Sequence, residues 1–163
     1  LFRSDLAELA NNAVNDATVA AQTHHWVKDL PDQPVWVRGD HARLHQLVSN
    51  LLGNARVHTP PGVTVTTGIT CHRDGPEPPF VELTVTDDGP GIDEDLLPIL
   101  FERFVRADKS RSDGSGHGLG LPIVSSIVKA HHGSVTVEST DQKTVFRVRL
   151  PLIDGSIADQ SSR

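Results

Sequence analysis

Residues 80–87, FVELTVTD, alternate apolar and polar side chains, so they read as a strand with one face against a core. Alternation fixes its orientation: Val81, Leu83 and Val85 share the inward face, and a one-residue slip would turn all three to solvent. The same alternation carries Asp87 inward at the strand's end. An ionised carboxylate in apolar surroundings is costly unless a donor meets it. The chain continues at once as DGPGI, where Gly89 and Gly91 permit close backbone approach and unusual dihedrals, and Pro90 stiffens the turn between them. These residues alone leave two readings open. One is an ordinary solvated turn, since D-G and P-G are common turn dipeptides; the other is a carboxylate turned inward for a ligand.

The rest of the chain supplies what such a strand needs to pack against. SDLAELANNAVNDATVAA places Leu6, Leu9, Ala10, Ala13, Val14 and Ala17 on one helical face, with Ser4 or Asp5 available as a cap. From Asp40, Leu44, Leu47, Val48, Leu51, Leu52 and Ala55 form a second stripe, which TPPG stops after His58. LGLPIVSSIVKAHHG predicts a third helix starting near Leu119, with Pro122 tolerated in its first turn and Gly133 as its C-terminal stop. GVTVTTGITC and FVELTVTD read as a hairpin across a proline-rich loop, and SVTVES and TVFRVRLP as two closing strands. HWVKDL and PVWVRG flank PDQP and read as a further strand pair, with Trp26 and Trp36 structural. RADKSRSDGSGHG has little apolar content and is expected to be a mobile loop, and DGSIADQSSR a frayed tail. Strands and helices without strict alternation predict an α+β chain: a two-layer α/β sandwich whose mixed, mostly antiparallel sheet is covered by about three helices on one face.

With 163 residues, 37% hydrophobic and 22% charged, the chain has material for one substantial core and shows no internal repeat. A net charge of −6 argues against binding nucleic acid by phosphate neutralisation. Cys71 is the sole cysteine, which excludes an intramolecular disulfide and a multi-cysteine metal site and fits a reducing compartment. No apolar run approaches the roughly 18 residues that span a bilayer, and the chain opens on Leu1 without a signal-peptide pattern, so it reads as an excised part of something longer.

Three features carry chemistry. A purine's exocyclic amino group entering between sheet and helices is a suitable donor for Asp87. Asn50 and Asn54, four residues apart, stack on one flank beside the leucine stripe of the second helix. An amide oxygen is a neutral hard ligand suited to Mg²⁺ that takes its other oxygens from waters and nucleotide phosphates. The spacing equally fits two amides bonded to solvent or a loop. Gly114, Gly116, Gly118 and Gly120 lead into the third helix, and amides at a helix N-terminus bind phosphate. This stretch lacks both the lysine-serine ending of a P-loop and the preceding strand of a Rossmann fingerprint.

Taken in order, these segments resemble the ATP-binding catalytic domain of sensor histidine kinases, the Bergerat fold of the superfamily shared with gyrase, mismatch-repair ATPases and a heat-shock chaperone class. LHQLVSNLLGNARVHTP resembles the family's N-box, DDGPGI its first glycine box, FERFVRAD its F-box and GHGLGL its second glycine box. Ordered motifs at such spacing make chance agreement far rarer than for any one of them. The resemblance covers most of the chain and implies a catalytic domain over residues 1–152, an ATP lid at about 103–116 and a disordered tail over 153–163. It implies that Asp87 accepts from the adenine amino group, with Gly89, Gly91 and Ile92 shaping the pocket. Asn54, helped by Asn50, would hold the Mg²⁺ that bridges the phosphates, both acting in catalysis, and His58 would stack against the nucleotide. Arg106, Lys109 and Arg111 become candidate phosphate contacts, while Gly116, His117, Gly118, Leu119 and Gly120 would line the lid's hinge and the helix start.

Some positions depart from the family pattern. Val57 stands where many relatives have a lysine or arginine, which leaves Arg56 as a possible substitute or as a plain surface charge. STDQKTVF lacks the glycines often found before the last strand. Phe101 and Phe104 fit a loop anchor as well as a catalytic role for the F-box, Glu102 included.

A hydrolase of this superfamily would carry a glutamate one turn before the metal-binding asparagine, to activate water. Asn50 holds that position, which favours transfer of the γ-phosphoryl group to a protein acceptor by positioning and charge neutralisation. None of the nine histidines has the setting of a phosphoacceptor; the pairs His24–His25 and His131–His132 read as structural or exposed. The acceptor would lie on a dimerisation domain outside this chain, in a homodimeric parent that relays the phosphoryl group to a response regulator. The resemblance implies a cytoplasmic domain, monomeric by itself, of a plasma-membrane sensor. A gyrase-like ATPase and a non-catalytic nucleotide-binding switch are the competing readings, disfavoured by Asn50 and by the F-box and long lid respectively.

Overall fold

The computed structural model describes residues 2–102 and 120–153. Asp5 opens the first helix, α1 (Leu6–Ala20): its Oδ1 accepts from Ala7 N at 3.0 Å and Glu8 N at 3.4 Å. Leu6, Leu9, Ala10, Ala13 and Val14 are buried as the stripe requires, with Ala17 partly so. Asp40 caps α2 (His41–His58) in the same way, and Leu44, Leu47, Val48, Leu51, Leu52 and Ala55 line its buried face. The third helix, α3 (Gly120–Ala130), starts one residue after the expected Leu119 position and keeps Pro122 in its first turn.

A five-stranded sheet lies under these helices. Its strands are β2 (His25–Asp29), β4 (Thr64–His72), β5 (Phe80–Asp87), β6 (Ser134–Thr140) and β7 (Lys143–Pro151), in the order β2-β4-β5-β7-β6. β2 runs parallel to β4 and every other pairing is antiparallel. The β4–β5 hairpin and the closing β6–β7 hairpin form as the alternation predicts. Val81, Leu83 and Val85 are buried on the helix-facing side, opposite Leu150, Val148 and Phe146 of β7. The opposite face carries a cross-strand ion-pair cluster in which Glu82 accepts from Arg147 at 3.1 Å and from Arg149 at 3.3 Å. This is the expected α+β two-layer sandwich.

One local expectation is corrected. HWVKDL and PVWVRG do not pair with each other. β3 (Trp36–Arg38) instead pairs with β1 (Arg3–Asp5) in a separate two-stranded sheet. The intervening prolines, Pro31 and Pro34, offer no N–H for a tight hairpin, and the backbone of Val35 is taken by the start of α1, through Val35 N to Asp5 Oδ1 and Leu6 N to Val35 O. Both tryptophans are structural as expected: Trp26 donates to Ala21 O, and Trp36 lies under the Arg3 guanidinium.

α3 ends ahead of Gly133, the expected stop, and His132, with φ 61°, takes the left-handed position. Gly133 N donates to Val128 O and His132 N to Lys129 O, the paired bonds of a Schellman ending. Glycine is still needed at 133, because a Cβ there would lie 2.2 Å from Arg149 O. The β6–β7 turn closes with Asp141 and Gln142 alone between Thr140 and Lys143, neither at positive φ, so the family's extra glycines are not required. Past β7, Leu152 bridges to Val37 and Ile153 N donates to Trp36 O. The expected lid and most of the expected tail fall outside the described residues.

Candidate functional site

Asp87 ends β5 with its side chain among the buried residues, 6% exposed. Its Oδ1 accepts from Gly89 N at 3.0 Å, the only hydrogen bond its carboxylate makes among the described residues. Burial raises its carboxyl above the ordinary aspartate value; the Gly89 N–H works against that shift, the Asp88 charge adds to it and His24 opposes it. Asp88 turns outward, and its Oδ1 accepts from Thr64 N, closing the start of β4.

The turn after Asp87 is held from both sides. A Cβ on Gly89 would stand 2.9 Å from the Thr59 methyl and 3.0 Å from Asp87 Oδ1. Gly91, with φ 85°, lies so close to β6 that a Cβ would meet Thr140 O at 2.0 Å. Ile92 N donates to Ser139 Oγ at 2.8 Å, and Ser139 is bonded to Thr144, the residue directly opposite Asp87 on β7. On the other side, buried His24 bridges Thr23 Oγ1 and Thr59 Oγ1, and Thr59 donates onward to Ala55 O at the end of α2. The carboxylate thus sits in a rigid frame of hydroxyls and backbone.

α2 brings the amide pair to this end of the molecule. Asn50 and Asn54 are half-buried on one flank, and their side chains make no hydrogen bond among the described residues. Asn54 stands about 7 Å along the axis before Thr59, at the 1.5 Å rise of a helix. His58 is exposed at the helix end; Arg56 is exposed and Val57 half-buried. Gly120 begins α3. Among the described residues there is no cluster of three or more His, Cys, Asp or Glu that could hold a metal. Phe101 packs edge-on to Phe146 with ring centroids 6.3 Å apart, a loop anchor on the core, and Glu102 is exposed. Phe104, Arg106, Lys109, Arg111, Gly116, His117, Gly118 and Leu119 lie outside the described residues.

The structure brings Asp87, Gly89, Gly91 and Ile92 into one turn. It also adds residues that sequence reasoning passed over. For Thr59, Ser139 and Thr144 the only signal in the sequence was that Thr59 immediately follows the helix; the register that sets Thr144 opposite Asp87 appears only in the fold. His24 is structural as expected, though it precedes β2 and is buried where its neighbour His25 is exposed. His131 is structural too: Nδ1–H donates to Ile127 O and Nε2 accepts from Asp40 N.

Residues 39–154 match the family model described as histidine kinase-, DNA gyrase B-, and HSP90-like ATPase. The sensor histidine kinase TrcS of Mycobacterium tuberculosis is 75% identical over 154 residues, which cover 94% of this chain and 30% of that protein. The chain therefore spans about a third of the length of that curated relative. The mycobacterial sensor histidine kinase MprB superposes with a TM-score of 0.80 at 29% identity, covering 93% of this chain and 98% of that one. The ATP-binding domain of PrrB from Mycobacterium tuberculosis superposes with a TM-score of 0.71 at 25% identity, covering 93% and 97%.

Proposed function

Because the chain belongs to the family of histidine kinase-, DNA gyrase B- and HSP90-like ATPases, we propose that it is the ATP·Mg²⁺-binding catalytic unit of a sensor histidine kinase, handing the γ-phosphoryl group to a histidine on an adjoining dimerisation domain. The observation that carries this reading is the Asp87 carboxylate: buried at a strand end, with one oxygen held by Gly89 N–H and the other without a partner among the described residues. Such a group is preorganised to accept from the adenine amino group. Gly91 and Ile92 keep the turn pressed to β6, which shapes the edge of the base pocket.

Asn50 and Asn54 suit Mg²⁺, being neutral oxygen donors with no competing hydrogen bond among the described residues. When bound, the ion would neutralise phosphate charge; the asparagines would fix where the triphosphate lies. His58, the last residue of α2, would stack on the nucleotide, and Arg106, Lys109 and Arg111 would contact phosphates, with Gly116, His117, Gly118, Leu119 and Gly120 at the hinge. An amide at position 50 cannot take a proton from water, so the site favours transfer over hydrolysis. In the parent, a homodimeric membrane sensor, the phosphoryl group would pass on to a response regulator.

The test is calorimetric titration with a non-hydrolysable ATP analogue, with and without Mg²⁺, followed by phosphotransfer from ATP to a separately supplied dimerisation domain of a close relative. One-site binding strengthened by Mg²⁺ and abolished in Asp87→Asn, with label appearing on the acceptor histidine, is the expected result. Steady phosphate release without an acceptor would instead favour an ATPase, and absence of binding at millimolar ligand would remove the reading.

A further inference from the structure

A chain of contacts runs from Asp87 through Gly89 and Thr59 to buried His24. Thr59 Oγ–H donates to Ala55 O at 2.6 Å, so the lone pair of that hydroxyl is left to accept. His24 Nε2 stands 2.8 Å from it and must therefore be the protonated nitrogen, which leaves Nδ1 to accept from Thr23 O–H at 3.0 Å. Both ring nitrogens of His24 are thus matched in a buried site, and the backbone on either side is pinned by Gly62 N to Thr23 O and His25 N to Val63 O. The Thr59 methyl then fills the space beside Gly89, the residue whose N–H holds Asp87 Oδ1.

We propose that His24 is a positioning residue for adenine recognition, acting through Thr59 and Gly89 to fix the Asp87 carboxylate. The proposal rests on Asp87 being the adenine acceptor. Removing the imidazole leaves the half-buried Thr59 hydroxyl with an unfilled acceptor and loosens its methyl against Gly89.

The experiment compares binding of ADP with that of purine riboside diphosphate, which lacks the 6-amino group, by calorimetry on this chain. The unsubstituted protein should prefer ADP by about tenfold or more, the loss expected for a charge-assisted hydrogen bond. His24→Leu should weaken ADP by about tenfold and the analogue by less than about threefold, so that the preference collapses. His24→Gln, whose amide can donate to Thr59, should recover most of it. A His24→Leu protein that keeps the preference, or that loses both ligands equally, overturns the proposal while leaving the Asp87 assignment intact. No preference in the unsubstituted protein sinks the Asp87 assignment and the positioning role with it. Should His24→Leu fail to fold, Thr59→Val removes the same hydrogen bond while keeping the methyl, and must collapse the preference in its place.

Discussion

Desolvation makes Asp87 expensive to ionise in the empty protein, and one N–H from Gly89 offsets only part of that cost. Its native carboxyl binds a proton more tightly than the unfolded chain does. The sign follows: the stabilising contribution is full below the ordinary value of 3.8 and is lost as pH rises through the raised native value. At neutral pH the ionised group therefore destabilises the empty fold, a pattern common at binding residues. Asp87→Asn should abolish adenine-nucleotide binding yet raise unfolding free energy at pH 7 by about 1 kcal/mol, with the gain vanishing below pH 3.8. Urea titrations of both proteins across pH would measure this; a less stable Asn variant at pH 7 would mean that Asp87 makes a stabilising contact with residues outside those described. The inward aspartate was legible because a period of two leaves no choice of face. Thr59 and His24 were not, since a hydroxyl or imidazole acquires this role only when the residue after α2 and the residue before β2, 35 positions apart, meet beside Gly89.

Among elements, α1, α2 and the β4–β5 hairpin follow from local signals: Asp5 and Asp40 cap helices whose apolar stripes the sequence displays. What was not legible was which strands pair. β3 chooses β1 because Asp5 Oδ1 and Leu6 N already hold Val35, contacts about 30 positions apart in sequence that no local pattern encodes. The α3 terminus shows a different failure. Gly133 was legible as the stop, but its close approach to Arg149 and the left-handed conformation of His132 were not. A non-glycine residue there carries backbone strain of about 1 kcal/mol. His132→Gly should therefore stabilise the chain by about 0.5–1 kcal/mol in urea unfolding, whereas Gly133→Ala should destabilise it. A His132→Gly protein no more stable than the original would show that the imidazole makes up for the strain, for instance through its favourable charge at the helix C-terminus.

Across the whole molecule, the proposed ligand spans two layers: Asp87 and the glycine turn belong to the sheet, and Asn50, Asn54 and His58 to α2. Binding should therefore act as a clamp between layers, stabilising the native state by mass action. At ligand a hundredfold above its Kd this amounts to about 2.7 kcal/mol, or a Tm rise of about 5–10 °C for a chain of this size. The two halves can be separated. Adenosine monophosphate lacks the outer phosphates, so its shift should depend on Asp87 and not on Mg²⁺. A non-hydrolysable ATP analogue should gain a further shift when Mg²⁺ is added. In Asn54→Ala the helix loses a half-buried amide but keeps its buried stripe, so the fold and the monophosphate shift should persist while the Mg²⁺ increment disappears. Thermal melts of the two proteins with each ligand, with and without Mg²⁺, decide it. If the Mg²⁺ increment survives in Asn54→Ala and is lost in Asn50→Ala, the ion is held one turn earlier on α2 than proposed; if it survives in both, the amide flank is not the metal site.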